Sequence, residues 1–138
     1  MPTASPIADA KTPGRGLNIA LWVLQILLGA FFVFAGSGKF SGQPEVVENF
    51  RKIGLGDWFR ILTGSLEVAG GLGLFIPPLA GLAALGLAGV MVGAALTHLL
   101  VLPPAYFAVG PVILIGLCLF IARQRWARSV AFLRGLTR

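Results

Sequence analysis

A long stretch without formal charge limits what this chain can fold into. Residues 68 to 122 contain no Asp, Glu, Lys or Arg, and their only ionisable side chains are His98, Tyr106 and Cys118. A helix needs roughly 20 apolar residues to cross about 30 Å of hydrocarbon, so this stretch is long enough for two crossings. The whole chain has 12% charged residues, and a typical soluble domain has about 25%. The sequence therefore predicts an integral membrane protein and excludes a soluble domain.

Proline pairs divide the apolar sequence into segments. Pro77-Pro78 and Pro103-Pro104 interrupt it, and proline ends one helix but is tolerated in the first turn of the next. Such short connections force neighbouring helices to pack antiparallel. We therefore predict an all-α fold, an antiparallel four-helix bundle that spans the membrane with helices at about residues 17–36, 58–76, 78–102 and 105–122.

The segment between the first two helices predicts a fifth, shorter helix. Pro44 suits its first turn and Gly54 suits its end. The apolar residues between them fall on one helical face, at Val46, Val47, Phe50 and Ile53. We expect this short helix to be interfacial, lying along the membrane surface.

Basic residues are concentrated in two tails. Residues 1–16, predicted to be a flexible tail, contain Lys11 and Arg15, and residues 123–138 contain five arginines. Lys and Arg mark cytoplasmic segments, so four crossings would place both termini in the cytoplasm. The second tail is interpreted either as an interfacial helix or as a frayed segment. The net charge of +6 predicts anionic lipids at the cytoplasmic face as partners, and not nucleic acid.

Small residues predict close helix packing, because in lipid they let two helices approach each other. On the third helix they are Gly86, Gly89 and Gly93, a face that would serve either the internal bundle or a homo-oligomer. Gln25 and Cys118 are interpreted as packing residues, and a single cysteine excludes an intrachain disulfide. On the first helix, spacings of three and four residues place one stripe toward the bundle, formed by Gln25, Gly29, Phe32, Gly36 and Lys39.

Four polar residues are candidates for a site, because ionisable groups inside a membrane are costly and usually paired or functional. They are Lys39, Glu67, His98 and Tyr106, one at the outer half of each helix. By helical rise, Glu67 lies about 10 Å and His98 about 7 Å from the outer boundary. The group is either a ligand site or a self-satisfied network that only fixes helix register. One histidine and one carboxylate are too few for a metal site.

Three short motifs resemble one known family. They are GSGKF at residues 36–40, GSLE at residues 64–67 and GAALTH at residues 93–98. Together the chain resembles the DoxX-like family, over about residues 17–123. The resemblance implies a small four-helix protein of the bacterial inner membrane, with Lys39, Glu67 and His98 at the family's polar positions. The wider superfamily includes a subunit of a thiosulfate:quinone oxidoreductase and a partner of redox enzymes.

Two functions from different classes follow from these observations. The first is an accessory membrane component of a redox or stress-response system, whose polar pocket holds a quinone-like or other small oxygenated molecule. It would work with a redox-enzyme partner and would not be an enzyme on its own. The alternative is a non-catalytic scaffold or assembly factor that binds other membrane proteins through its glycine-rich helix faces. A transporter is disfavoured, because ionisable groups are expected only in the outer half.

Overall fold

The computed structural model describes residues 13–138, and every regular element in that range is helical. The predicted all-α fold is confirmed. Most of the predicted N-terminal tail lies outside the described residues. Five α-helices and two short 3-10 helices follow one another along the chain: α1 (Arg15–Phe40), α2 (Pro44–Ile53), α3 (Asp57–Leu74), a 3-10 helix (Pro77–Leu79), α4 (Ala80–Leu100), a 3-10 helix (Ala105–Ala108) and α5 (Val109–Leu136).

Three of the helical segments are long and apolar enough to cross a membrane. They are Arg15–Phe40, Pro77–Leu100 and Ala105–Leu136. Their outward side chains include large apolar residues with little protein around them, such as Leu27 and Leu100. Helix α3 is also long, but its 18 residues include Asp57, Arg60 and Glu67. The exposed apolar surfaces of the three membrane-length segments are suited to lipid and not to water.

Paired glycines bring α1 and α3 into direct contact. A Cβ on Gly36 would lie 2.7 Å from the carbonyl oxygen of Gly64, and one on Gly64 would lie 2.9 Å from that of Gly36. Gly29 and Gly71 form a second reciprocal pair, with corresponding distances of 2.9 and 2.8 Å. The two pairs are separated by seven residues on each helix. Residue numbers rise along α1 where they fall along α3, so the two helices are antiparallel. Only glycine lets the two backbones approach this closely.

The stripe predicted on α1 is confirmed as its inward face. Gln25, Gly29, Phe32 and Gly36 are all buried, and Lys39 forms an ion pair with α3. The short helix α2 also begins and ends as predicted. Pro44 is in its first turn, and Gly54 ends it with a φ of 85°, a left-handed conformation that favours glycine.

Three glycines of α4 do not pack against another helix of the chain, although one of the two interpretations of the sequence expects this. Gly86, Gly89 and Gly93 are exposed, and a Cβ on any of them would meet no atom within 4 Å. Helix α4 instead contacts α3 through other positions, because Leu87 packs over Gly70 and Ala83 over Gly73. The open glycines face a cavity that lies beside this contact. The homo-oligomer interpretation of these glycines stays a prediction.

The basic C-terminal segment continues α5 without a break, to Leu136. Its first half packs onto the other helices, with Arg125 and Ser129 buried. The backbone N–H of Leu82 on α4 donates to Ser129 Oγ at 3.3 Å. The frayed-tail interpretation is therefore wrong for this half of the segment, because buried contacts with α4 hold it in a helix.

Candidate functional site

A cavity of about 770 Å³ lies between α1, α3 and α4, and α2 covers one end of it. Ligand pockets usually have volumes of about 300–1,000 Å³, so it is large enough for a small organic molecule. Apolar side chains form most of its wall, including Phe34, Phe50 and Val90. The glycines of α4 form the rest of one side. Helix α5 contributes nothing to the wall among the described residues.

Lys39 and Glu67 form an ion pair in the wall of the cavity. Lys39 Nζ donates to Glu67 Oε2 at 2.8 Å, and the two side chains are 20% and 4% exposed. Helical side chains lean toward the N-terminus of their own helix. Because α1 and α3 are antiparallel, Lys39 leans back toward Gly36 and Glu67 leans toward Gly64, so the two side chains converge. The glycine contact therefore positions the ion pair.

Arg60 fixes the end of α1 that carries Lys39. Its guanidinium is largely buried and donates from Nη1 to the backbone carbonyl oxygen of Lys39. Its Nε also lies 3.5 Å from Asp57 Oδ1. A cation at a helix C-terminus stabilises the exposed carbonyl groups and the negative end of the helix dipole. Arg60 thus holds the backbone of Lys39 while Glu67 holds its ammonium group.

His98 lines the same cavity but is not paired. Its Nδ1 is buried and has no hydrogen-bond partner among the described residues. The ring makes an edge contact with Phe107, at 6.0 Å between ring centroids. An unpaired buried nitrogen costs free energy unless another group binds it. Lys39 and Glu67 therefore pair with each other, and His98 is outside that pair.

The polar groups lie at two levels of the cavity. The contacts of Gly70 with Leu87 and Gly73 with Ala83 set the register of α3 against α4. With a rise of 1.5 Å per residue, this register places Glu67 level with Val90. His98 lies farther along α4, about 12 Å nearer the end of the cavity that α2 covers. The sequence predicted similar depths for His98 and Glu67, because Arg60 was counted as the outer boundary although it is buried.

Tyr106, the fourth sequence-predicted residue, is not brought to the cavity. It lies in the 3-10 helix Ala105–Ala108, is 68% exposed, and packs against Phe107 at 4.8 Å between ring centroids. Its side chain is outside the cavity wall. Lys39, Glu67 and His98 are therefore the three predicted residues that the fold brings together.

A second polar cluster was missed by sequence reasoning. Gln25, predicted to be a packing residue, is fully buried and donates from Nε2 to the carbonyl oxygen of Leu74 at 2.8 Å. Arg125 on α5 donates from Nε to Gln25 Oε1 and from Nη1 to Asn18 Oδ1, both at 2.7 Å. The available signal was a glutamine in an apolar segment, since buried polar groups need partners. We call Asn18, Gln25, Arg125 and Arg128 the arginine cluster.

The three long apolar helical segments indicate an α-helical membrane protein. The chain belongs to the DoxX-like family, whose family model matches residues 23–121. The matched range includes Lys39, Glu67 and His98, and it confirms the family resemblance drawn from the sequence. No curated protein and no solved structure matches the chain. The described residues contain no group of three or more His, Cys, Asp or Glu side chains placed to hold a metal ion.

Proposed function

We propose that this protein binds a small lipid-soluble molecule carrying oxygen atoms, such as a quinone, in the cavity between α1, α3 and α4. One observation carries the proposal: the wall of an apolar cavity of about 770 Å³ includes an ion pair and also His98, whose buried Nδ1 has no hydrogen-bond partner among the described residues. Binding sites typically combine an apolar wall with a few placed polar groups.

The three polar side chains have different roles in this proposal. His98 Nδ1 donates or accepts a hydrogen bond with a ligand oxygen, depending on the imidazole tautomer. Lys39 contacts a second oxygen farther into the cavity, since an ammonium group has three donors and one of them is used by Glu67. Glu67 keeps Lys39 in place. A molecule with oxygens at both ends of an apolar body fits this arrangement.

We further propose that α3 is a fourth membrane crossing. At 18 residues it spans about 27 Å, close to the hydrocarbon thickness. Its buried charged groups have partners on α1, because Glu67 pairs with Lys39 and Arg60 donates to the Lys39 carbonyl oxygen. Four crossings then place both termini in the cytoplasm, with α2 along the outer surface of a bacterial inner membrane. The basic end of α5 supports this orientation.

The cellular role that fits such a site is that of an accessory component of a redox or stress-response system. A small bound quinone would be presented to, or received from, a partner enzyme in the same membrane. The proposal needs no catalytic group in this chain.

The Glu67→Gln variant tests the site. We expect a short-chain benzoquinone, titrated into the protein in lipid nanodiscs, to bind about tenfold more weakly to this variant, because the loss of a charge-assisted bond frees Lys39 from its position. Tryptophan fluorescence quenching would follow binding. Glu45→Gln is the matched control, since Glu45 is exposed and outside the cavity wall, and Tyr106→Phe should also leave the affinity unchanged. Equal affinity of the Glu67→Gln variant and the wild type would refute the role given to the ion pair.

The Gly93→Leu variant tests the cavity itself. Gly93 lines the cavity with open space before it, so a leucine side chain should occupy ligand volume without displacing a neighbouring helix. We expect quinone binding to be lost while thermal stability is kept. Gly116→Leu makes the same change at an exposed helical glycine with no atom near its Cβ position and outside the cavity wall. Binding that survives in the Gly93→Leu variant would place the ligand elsewhere.

The scaffold function remains the second candidate, because the open glycines of α4 would also accept a partner helix. The two functions differ in their response to the same variants. A scaffold would lose a co-purifying membrane protein in the Gly93→Leu variant and keep it in the Glu67→Gln variant. A ligand site would lose quinone binding in the first and weaken it in the second.

A further inference from the structure

The arginine cluster lies at the opposite end of the long helices from α2, away from the cavity. Arg125 is 6% exposed, and its guanidinium carbon lies 5.7 Å from the centroid of the Trp22 ring. Gln25 and Asn18 accept hydrogen bonds from two of its nitrogens. These contacts fix the orientation of the guanidinium. All of them are made by neutral groups, so they leave its charge uncompensated.

Two donor atoms of the cluster are left without acceptors. Arg125 Nη2 and Arg128 Nε are buried and have no hydrogen-bond partner among the described residues. The two arginines are three residues apart on α5, so they are neighbours on its surface. A buried charge without a counter-ion is costly.

The described acidic side chains are all at other places. Glu45 and Glu48 are on α2, Asp57 is at the first turn of α3, and Glu67 is paired with Lys39. The cluster instead adjoins the opposite end of α3, where Leu74 accepts from Gln25. Within residues 13–138, no Asp or Glu side chain is therefore available to neutralise Arg125 and Arg128.

The start of α4 adds to the positive potential of the cluster. A Cβ on Gly81 would lie 2.9 Å from the carbonyl oxygen of Arg125, so the first turn of α4 packs directly against this part of α5. A helix N-terminus carries a partial positive charge. The Trp22 ring lies beside the Arg125 guanidinium, and Trp126 follows Arg125 in the sequence. Tryptophan is enriched at the level of lipid headgroups.

We propose that the arginine cluster is a binding site for the phosphate group of an anionic phospholipid. Arginine binds phosphate oxygens through paired, charge-assisted hydrogen bonds. The phosphate pairs with the guanidinium of Arg128, which is partly exposed, and supplies the negative charge that the buried Arg125 lacks, while the acyl chains run along the apolar surface of α5. This site is separate from the cavity, so it holds or fails independently of the quinone proposal.

The test measures lipid binding by native mass spectrometry of the delipidated full-length protein in detergent. We expect the wild type to bind phosphatidylglycerol in preference to phosphatidylcholine, and Arg128→Gln to weaken phosphatidylglycerol binding by about tenfold. Arg134→Gln is the matched control, because Arg134 is exposed on the same helix and its replacement removes the same charge. Equal losses in the Arg128→Gln and Arg134→Gln variants would reduce the effect to general charge attraction and overturn the site.

Two further measurements separate the remaining outcomes. Arg125→Lys keeps the charge but removes the forked donors, and it should also weaken phosphatidylglycerol binding. If that variant does not fold, the Arg128→Gln comparison still decides. Inorganic phosphate is titrated in parallel. We expect it to displace the lipid only weakly, because it lacks acyl chains, and tight phosphate binding without lipid binding would contradict a headgroup site.

Discussion

Replacing Gly36 with alanine is expected to lower the free energy of unfolding by about 1–3 kcal/mol, the usual range for overpacking a close contact. The added Cβ would lie 2.7 Å from the carbonyl oxygen of Gly64 and 2.8 Å from a methyl carbon of Val68. A backbone oxygen on a helix cannot turn aside, so α1 and α3 must move apart. The measurement is a denaturation midpoint in detergent micelles, followed by circular dichroism.

Gly38→Ala is the control for this change. Gly38 lies on the same helix, two residues farther along, and a Cβ there would meet no atom within 4 Å. We expect its midpoint to match or exceed that of the wild type, since alanine favours helix more than glycine does. Equal losses at the two positions would mean that helix flexibility, and not the contact between α1 and α3, explains the effect.

Replacing Lys39 with methionine is expected to cost more, about 3–5 kcal/mol, because it leaves the buried Glu67 carboxylate without its partner. The double variant Lys39→Met/Glu67→Gln should recover much of that loss, since it removes both charges. The same denaturation experiment reports both variants. Recovery in the double variant would show that the cost comes from the unpaired carboxylate and not from packing.

Lys52→Met provides the comparison for the lysine change. Lys52 is exposed on α2, and loss of a surface charge usually changes stability by less than about 0.5 kcal/mol. If the Lys39→Met and Lys52→Met variants were equally stable, the ion pair with Glu67 would contribute nothing to the fold. That result would also remove the argument that Glu67 positions Lys39 in the cavity.

Local features of the fold could be predicted from the sequence. The absence of charge between residues 68 and 122 was enough to indicate membrane helices, and proline and glycine marked the ends of α2. The inward stripe of α1 followed from helical periodicity alone. Each of these signals depends on residues that are close together in the sequence.

Relations between helices could not be predicted in the same way. The pairing of Gly36 with Gly64 depends on the register of α1 against α3, which periodicity does not specify. The same limit explains why Gly86, Gly89 and Gly93 were interpreted as packing residues, when their face is turned to a cavity. For the same reason, the sequence did not predict the hydrogen bond between Gln25 and Arg125, which joins residues 100 positions apart.

The sequence predicted which residues form the candidate site better than it predicted their arrangement. Lys39, Glu67 and His98 line one cavity, but Tyr106 is exposed outside it. Their ionisable side chains in apolar segments identified the first three, because such groups need a partner or a function, but the predicted depths of Glu67 and His98 were wrong. Tyr106 sits in a 3-10 turn after Pro104, and a turn directs its side chains in ways that helical spacing does not describe.

The central claim is that the cavity holds a small molecule, and native mass spectrometry of protein extracted from its own membrane tests it most directly. We expect the wild type and the Gly116→Leu variant each to retain one lipid-soluble molecule per chain, and the Gly93→Leu variant to retain none. A wild type with no retained molecule, or the same retained mass in the Gly93→Leu variant, would contradict a ligand in this cavity.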